Sequence, residues 1–159
     1  MEHSVTLRTP VGPMRLTATD EAITGLHFVG EDVEVGTLDG CEAPTPLLRQ
    51  AVQELRAYFA GERRTFDLPL APAGTPFRQA VWAALREIPY GETRTYGQIA
   101  ARIGRPKACR AVGMANNRNP IAIIVPCHRV VGASGALVGY AAGLSVKEKL
   151  LRLEALSSK

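Results

Sequence analysis

The chain has 159 residues, of which 46% are hydrophobic, with a formal net charge of +4 and three cysteines. This length suffices for one large domain or two small ones, and the apolar content is typical of a globular protein. No apolar run is long enough to span a bilayer and no signal peptide is visible, so the sequence excludes a membrane protein and predicts a cytoplasmic one.

Charge and cysteine content narrow the class further. Residues 1–73 contain 6 Lys/Arg and 11 Asp/Glu, a net charge of −5, whereas residues 74–159 contain 13 and 4, a net charge of +9. The basic half suggests a polyanionic partner, although a solvated charged surface is an equal alternative from charge alone. Scattered cysteines without a C-x-x-C motif favour a reducing compartment over a disulfide framework. No metal-ligand spacing is present among His3, His27 and Cys41, so neither a metal nor a cofactor is expected.

Residues 1–70 predict a small α/β domain with antiparallel strands. Polar and apolar residues alternate over Val5–Arg8 and over Met14–Thr17, and Pro10–Pro13 supply the turn between these strands. A third strand is predicted for Ile23–Val29. This part of the chain carries no recognisable chemistry, and we interpret it as a scaffold.

A helix is predicted after an acidic loop over residues 30–43. Thr45 can cap it, Pro46 stands at its first position and Gly61 ends it. A short strand over Phe66–Leu70 is a further candidate, before a linker at 71–74. The buried face of the helix is predicted to consist of Leu47, Leu48, Ala51, Val52, Leu55, Tyr58 and Phe59.

The second domain, residues 74–159, begins with a similar cap, Thr75 followed by Pro76. Trp82 lies on the helix that follows and is interpreted as a packing residue, with a stacking platform as the alternative. The apolar stripe of this helix is predicted to consist of Phe77, Ala80, Val81, Ala84 and Leu85.

A helix-turn-helix is predicted next. Thr95 and Gln98 form a capping box for a short helix from Tyr96 to Ile103, which Gly104 closes, and a second helix is expected from Pro106 to about Asn117. Many such helix pairs bind nothing. The nucleic-acid interpretation is favoured by nearby basic residues and by the small residues Ala108, Cys109 and Ala111, which permit close approach to a groove.

A fully buried strand is predicted for Ile121–Val125, because this run is aliphatic and mostly β-branched. Pro126 ends the strand since it has no N–H to donate. Cys127 and His128 follow at once, and a thiol beside an imidazole on a rigid element is typical of an activated nucleophile. The alternative is a buried structural cysteine.

The last predicted elements are a hairpin turn over Gly132–Gly135 and a helix from Val146 to about Leu156. Ser145 and Glu148 have the spacing of a capping box for this helix. Glu154 lies on it, and from the sequence alone its carboxylate would be expected in solvent.

Together, four of these motifs form a signature that is more specific than a lone Cys-His pair. Arg105–Gly113 (RPKACRAVG), Asn119-Pro120, Pro126–Val130 (PCHRV) and Gly139-Tyr140 resemble the O6-alkylguanine-DNA alkyltransferases, or methylated-DNA–protein-cysteine methyltransferases. The resemblance is continuous from about Gly74 to Glu154 and looser towards the N-terminus.

The resemblance implies an α+β fold: an N-terminal ribonuclease H-like domain with an antiparallel sheet over residues 1–70. A mainly helical domain over residues 74–159 would follow, containing the helix-turn-helix in a winged-helix-like arrangement and the active-site cysteine. Some relatives hold a structural zinc in the N-terminal part, but no matching cluster is seen in this sequence.

The resemblance also implies a reaction: the repair of O6-alkylguanine in double-stranded DNA by irreversible, stoichiometric transfer of the alkyl group to Cys127. O4-alkylthymine is a further candidate substrate. His128 would act as the base through a bridging water, and Glu154 would orient its imidazole. Tyr96 would donate a proton to the departing base. Asn119 would join the helix-turn-helix to the active-site strand.

The same resemblance places the second helix of the helix-turn-helix in the minor groove. Arg110 would enter the base stack and replace the flipped nucleotide, whereas an ordinary phosphate contact is the alternative. The other groove-facing residues would be Lys107, Ala108, Cys109 and Ala111. The base pocket would be formed by Tyr140, Val130, Ala141 and Ala122.

Some positions depart from the family pattern. Ala122 stands where some relatives have proline, which leaves the tolerance for bulky adducts open, and Ala141 lacks a hydroxyl that some relatives have. Cys109 replaces a small residue; we interpret it as packing, with an unproductive thiol near DNA as the alternative.

Two other classes of protein are considered. A non-catalytic damage-recognition relative would carry another residue, typically tryptophan, at position 127. An unrelated cysteine hydrolase would need an oxyanion hole and a catalytic Asn or Asp, for which no motif is evident. The cysteine therefore favours the alkyltransferase, which we expect to act as a monomer, with cooperative binding along DNA left open.

Overall fold

The computed structural model describes residues 2–29, 44–136, 140 and 143–157. The chain folds as an α+β protein, which confirms the predicted class. It divides into two compact units, Met1–Pro72 and Ala73–Lys159. Among the described residues, none of the helices has both the length and the apolar character that a membrane span requires.

The first unit pairs an antiparallel sheet with one face of a helix. Its elements are β1 (His3–Thr9), β2 (Gly12–Ala18), β3 (Ile23–Phe28) and α1 (Pro46–Phe59), with sheet order β1-β2-β3. The predicted cap of α1 is confirmed, because Thr45 Oγ1 accepts a hydrogen bond from Leu48 N at 3.2 Å. The core of the unit consists of Leu7, Met14, Leu16, Ile23 and Leu26 from the strands, and Leu48, Ala51, Val52, Leu55 and Tyr58 from α1.

The predicted strand over Phe66–Leu70 is reduced to a single bridge. Leu70 pairs in parallel with Ile23, and the bonds Ile23 N to Pro69 O and Ala71 N to Ile23 O are both 2.8 Å long. Pro69 has no N–H to donate, so this segment cannot continue the ladder.

The second unit is mainly helical. Its elements are α2 (Pro76–Arg86), β4 (Arg94–Thr95), α3 (Tyr96–Arg102), α4 (Cys109–Asn117), a 3-10 helix (Cys127–Arg129), β5 (Val130–Val131) and α5 (Leu144–Ser157). Helix α2 contacts both α3 and α4, and α3 contacts α4, as a helix-turn-helix on a supporting helix requires. Strands β4 and β5 pair in parallel.

Trp82 packs at the centre of this unit, which confirms its interpretation as a packing residue. Its side chain is 2% exposed, and its Nε1 donates to Ala115 O on α4 at 2.8 Å. A Cβ added to Gly74 would lie 2.5 Å from the Trp82 ring, so the start of the unit needs a residue without a side chain.

The capping box of α3 is confirmed, since both of its hydrogen bonds, between Thr95 and Gln98, are present. The predicted start of α4 is wrong: the helix begins at Cys109, not at Pro106. The bond from Ala108 N to Arg105 O, 2.9 Å long, closes a separate turn first.

The predicted cap of α5 is also wrong. The helix begins at Leu144, so Ser145 lies within its first turn. Gly143, which has a φ of +101°, precedes the helix and accepts from Lys147 N at 3.3 Å, and it therefore closes the first turn in place of a serine.

Candidate active site

The segment Ile121–Val125 is buried as predicted, but it is a tight turn and not a strand. Val125 N donates to Ile121 O at 3.0 Å, and Ile123 has a φ of 71°. A β-branched residue rarely adopts a positive φ, at a cost of about 1–3 kcal/mol. The turn is held by the Asn119 side chain: Nδ2 donates to Val125 O at 2.8 Å and Ile121 O at 3.3 Å, while Oδ1 accepts from Ile121 N at 3.0 Å.

This turn delivers Cys127 to the first position of the 3-10 helix. Cys127 is 5% exposed, and its N–H donates to Val125 O at 2.8 Å. Its carbonyl oxygen accepts from Asn116 Nδ2, on α4, at 3.3 Å. The backbone of the cysteine is therefore connected directly to the helix that the sequence predicts to bind DNA.

The thiol lies among polar groups from several elements. Burial raises the pKa of Cys127, and the nearby polar side chains of Asn119 and Tyr140 and the charge of Lys147 partly oppose the rise. Burial and the charge of Cys127 raise the pKa values of Tyr96 and of Tyr140. Asn119, Tyr96 and Tyr140 thus all lie near Cys127 in the structure.

His128 and Glu154 form a buried pair. Nε2 of the imidazole lies 2.6 Å from Oε2 of Glu154, and the two residues are 0% and 1% exposed. Arg129 binds the same carboxylate in a bidentate manner: its Nε donates to Oε1 at 2.8 Å and its Nη2 donates to Oε2 at 3.0 Å. The carboxylate expected in solvent is therefore buried.

The charges fix the tautomer of the imidazole. Burial would raise the pKa of Glu154, but the hydrogen bonds and charges of His128 and Arg129 outweigh it and lower the pKa to about 2. Burial also lowers the pKa of His128, despite the opposing effect of Glu154. A neutral His128 beside an ionised carboxylate carries its proton on Nε2, so the lone pair is on Nδ1. Nδ1 is buried and makes no hydrogen bond to the described part of the chain.

The sequence analysis missed Arg129 and Lys147. Arg129 also donates from Nη1 to Ile88 O at 2.7 Å and lies 5.6 Å from the centroid of the Tyr90 ring. Lys147 is fully buried on α5. The sequence does contain a sign of both residues, because each is a charged residue at a position where the apolar pattern predicts burial. Arg129 lies within a run of buried residues, and Lys147 lies three residues before Leu150 on the same helix.

The predicted groove-facing residues lie at the start of α4. Cys109, Arg110 and Ala111 are exposed on its first turn, whereas Lys107 and Ala108 precede the helix. Met114, one turn after Arg110, is 62% exposed, so this face also presents a long apolar side chain that the small-residue pattern did not predict.

The predicted base-pocket residues are placed as follows. Tyr140 is half-buried, Val130 is buried in β5 and Ala122 is buried in the turn. Ala141 and Cys41 lie outside the described residues. Within the described ranges, no group of three or more His, Cys, Asp or Glu side chains is arranged to hold a metal ion.

The fold and the site define a protein with a candidate cysteine nucleophile beside a helix-turn-helix, and comparison with known proteins gives its family. The profile of the 6-O-methylguanine DNA methyltransferase DNA binding domain matches residues 76–156, and that of the ribonuclease-like domain of the same proteins matches residues 3–72. The chain therefore belongs to the 6-O-methylguanine DNA methyltransferase family, which confirms the resemblance.

Individual relatives agree over almost the whole chain. The methylated-DNA–protein-cysteine methyltransferase of Methanosarcina acetivorans is 56% identical over 145 residues, 91% of this chain and 93% of that one. The crystal structure of Mycobacterium tuberculosis O6-methylguanine methyltransferase has a TM-score of 0.86 at 46% identity and covers 100% of this chain and 96% of its own. The crystal structure of Mycobacterium tuberculosis OGT in complex with DNA has a TM-score of 0.86 at 48% identity, with coverages of 98% and 94%. Like these relatives, the protein is a methyltransferase.

Proposed function

We propose that the protein repairs double-stranded DNA by transferring the alkyl group of O6-alkylguanine to its own Cys127. One observation carries the proposal: the buried Cys127 directly precedes His128, whose Nε2 lies 2.6 Å from Glu154 Oε2 in the geometry of a base and its orienting carboxylate. The DNA-bound relative from Mycobacterium tuberculosis supports DNA as the partner.

The reaction is a displacement at the alkyl carbon. His128 Nδ1 takes the thiol proton through a bridging water, and the thiolate forms the new S–C bond as the C–O6 bond breaks. The electron pair of the broken bond stays on guanine, which gains a proton from Tyr96. The imidazolium and the tyrosinate then neutralise each other through solvent. Overall, an S–H and an O-alkyl bond become an S-alkyl and an N–H bond, with no cofactor.

The product determines the stoichiometry. The S–alkyl bond of a thioether is stable, and breaking it to release the Cys127 thiolate would require a second nucleophile or an activated water. Each protein molecule therefore acts once. O4-alkylthymine presents the same kind of alkyl carbon and is the second candidate substrate.

The reacting carbon is inaccessible within a stacked duplex, so the nucleotide must rotate out, at a cost of a few kcal/mol. Arg110, exposed on the first turn of α4, is proposed to occupy the space that the nucleotide leaves. The hydrogen bond from Asn116 to the Cys127 carbonyl connects this helix to the nucleophile. We expect the protein to act as a monomer in the cytoplasm, where a reducing environment preserves the thiol.

The test is mass spectrometry of the protein after incubation with a duplex that contains O6-methylguanine. We expect a permanent gain of one methyl group on Cys127. Cys127→Ser should lose transfer but keep DNA binding, because a serine hydroxyl is scarcely ionised at neutral pH. Unmodified protein in a stable complex would indicate damage recognition alone, and transfer by the serine variant within tenfold of wild type would overturn the nucleophile assignment.

A further inference from the structure

Helix α5 brings a lysine to the reaction centre. Leu150 and Glu154 follow Lys147 by three and seven residues. All three side chains are buried, so they share the inner face of the helix. Lysine side chains usually keep their ammonium group in water. A fully buried lysine is therefore unusual, and its surroundings indicate what it can act on.

Those surroundings are the reacting groups. The ammonium nitrogen of Lys147 lies 6.0 Å from the centroid of the Tyr96 ring. Its charge lowers the pKa of Cys127 and that of His128, and Cys127 in turn raises the pKa of Lys147 against the larger effect of burial. These two effects on the pKa values are the two sides of one electrostatic interaction between the lysine and the thiol.

The other cations around the site have different partners. Arg129 is bound by the Glu154 carboxylate and the Ile88 carbonyl. Burial lowers the pKa of His128, so its imidazole is neutral before the reaction. Among the described side chains that influence the pKa of the Cys127 thiol, Asn119 and Tyr140 are uncharged and Lys147 is a cation.

We propose that Lys147 is the counter-ion of the Cys127 thiolate, which it stabilises electrostatically from α5. The inference deepens the proposed function and rests on it for its role in alkyl transfer. Lys147 exchanges no atom: the thiol proton passes to His128, and the ammonium lowers the free energy of the thiolate that remains. A purely structural Lys147 that only packs on Tyr96 is the alternative.

The first measurement is the pKa of the thiol itself, which does not depend on alkyl transfer. Thiolate ultraviolet absorbance is titrated against pH in the wild type and in Lys147→Met, and the matching Cys127→Ser protein is subtracted from each. Methionine has a similar length without the charge. A nearby cation favours the charged form of a thiol and lowers its pKa, so we expect the midpoint in Lys147→Met to rise by about one unit. An unchanged midpoint would overturn the proposal.

The second measurement is the rate of methyl transfer from free O6-methylguanine base across the same pH range. We expect Lys147→Met to be about tenfold slower at neutral pH, with the gap closing above the wild-type midpoint. Lys147→Arg, which keeps the charge, should recover much of the rate. Lys149→Met, at an exposed position of the same helix, is the matched control and should behave like the wild type.

The outcomes are distinguishable. A deficit of the same size at every pH, with normal circular dichroism, would assign Lys147 a structural role. A shifted midpoint without any methyl transfer by the wild type would support the ion pair and refute the proposed function.

Discussion

At the scale of single residues, Glu154 has the most demanding environment in the second unit. One carboxylate accepts hydrogen bonds from His128 and from the fork of Arg129, and Gly91 N lies 3.4 Å away. Removing one partner of such a buried group leaves the other charge uncompensated, which typically costs about 3–5 kcal/mol. The carboxylate therefore stabilises the fold in addition to its proposed role in orienting His128.

Glu154→Gln should therefore unfold more easily, and the difference should depend on pH. The pKa of Glu154 is lowered to about 2 from an ordinary value of 4.5. Its contribution, about 3 kcal/mol, is fully present above pH 4.5 and is lost as the pH falls through about 2. Urea unfolding at several pH values should show a deficit that narrows below pH 4.5.

The matched control is Glu148→Gln on the same helix. Glu148 pairs with Arg152 at 2.6 Å, but both side chains are more than half exposed, so the change should cost well under about 1 kcal/mol. A Glu154→Gln deficit that is equal at all pH values would mean that the lowered pKa of the carboxylate does not contribute to stability.

At the scale of elements, α4 has two functional sides. Its exposed side carries Arg110 and Met114, and its buried side carries Asn116, which bonds to the Cys127 carbonyl, and Ala115, which accepts from Trp82. Helix α4 therefore joins its exposed side, through short contacts, to the backbone of Cys127 and to the supporting helix α2.

Arg110→Ala separates nucleotide flipping from chemistry. If Arg110 replaces the flipped nucleotide, the variant should lose repair of duplex DNA by a large factor, about tenfold for each 1.4 kcal/mol lost from the extrahelical state. Its reaction with free O6-methylguanine base should remain close to that of the wild type. The measurement compares both substrates at low and high salt.

Arg105→Ala, at an exposed position in the turn before α4, is the matched control. A modest loss for Arg110→Ala that shrinks at low salt would identify an ordinary phosphate contact. Equal losses on duplex and free base would mean that Arg110 shapes the pocket or the fold.

Some of these elements follow from local sequence spacing, and others depend on how the chain packs. Caps that depend on local spacing, such as Thr45 and Thr95 with Gln98, were predicted correctly. The turn at Ile121–Val125 was predicted as a strand, because burial and β-branching do not distinguish a strand from a turn held by the side chain of Asn119. The pairing of Glu154 with Arg129 and the placement of Lys147 depend on how α5 packs, which single-sequence periodicity does not determine.

At the scale of the whole molecule, charge is divided between the two halves of the chain, −5 in residues 1–73 and +9 in residues 74–159. We expect affinity for undamaged duplex to fall steeply with salt, because neutralised phosphates release their counterions. Lys107→Ala should reduce the slope of log K against log salt by about one. Arg56→Ala, exposed on α1 in the acidic half, should leave the slope unchanged. A salt-insensitive dissociation constant would argue against the basic half as the DNA-binding face.

The burial of Cys127 has a consequence for the time before any damage is encountered. If each molecule acts once, as proposed, its thiol must remain unmodified by peroxides and small electrophiles until then. Cys127 is 5% exposed and its pKa is raised by burial, so at rest it is mostly an uncharged thiol within the protein, whereas Cys109 is exposed on the surface. Protonation and burial together should therefore keep this thiol unreactive until the proposed substrate binds.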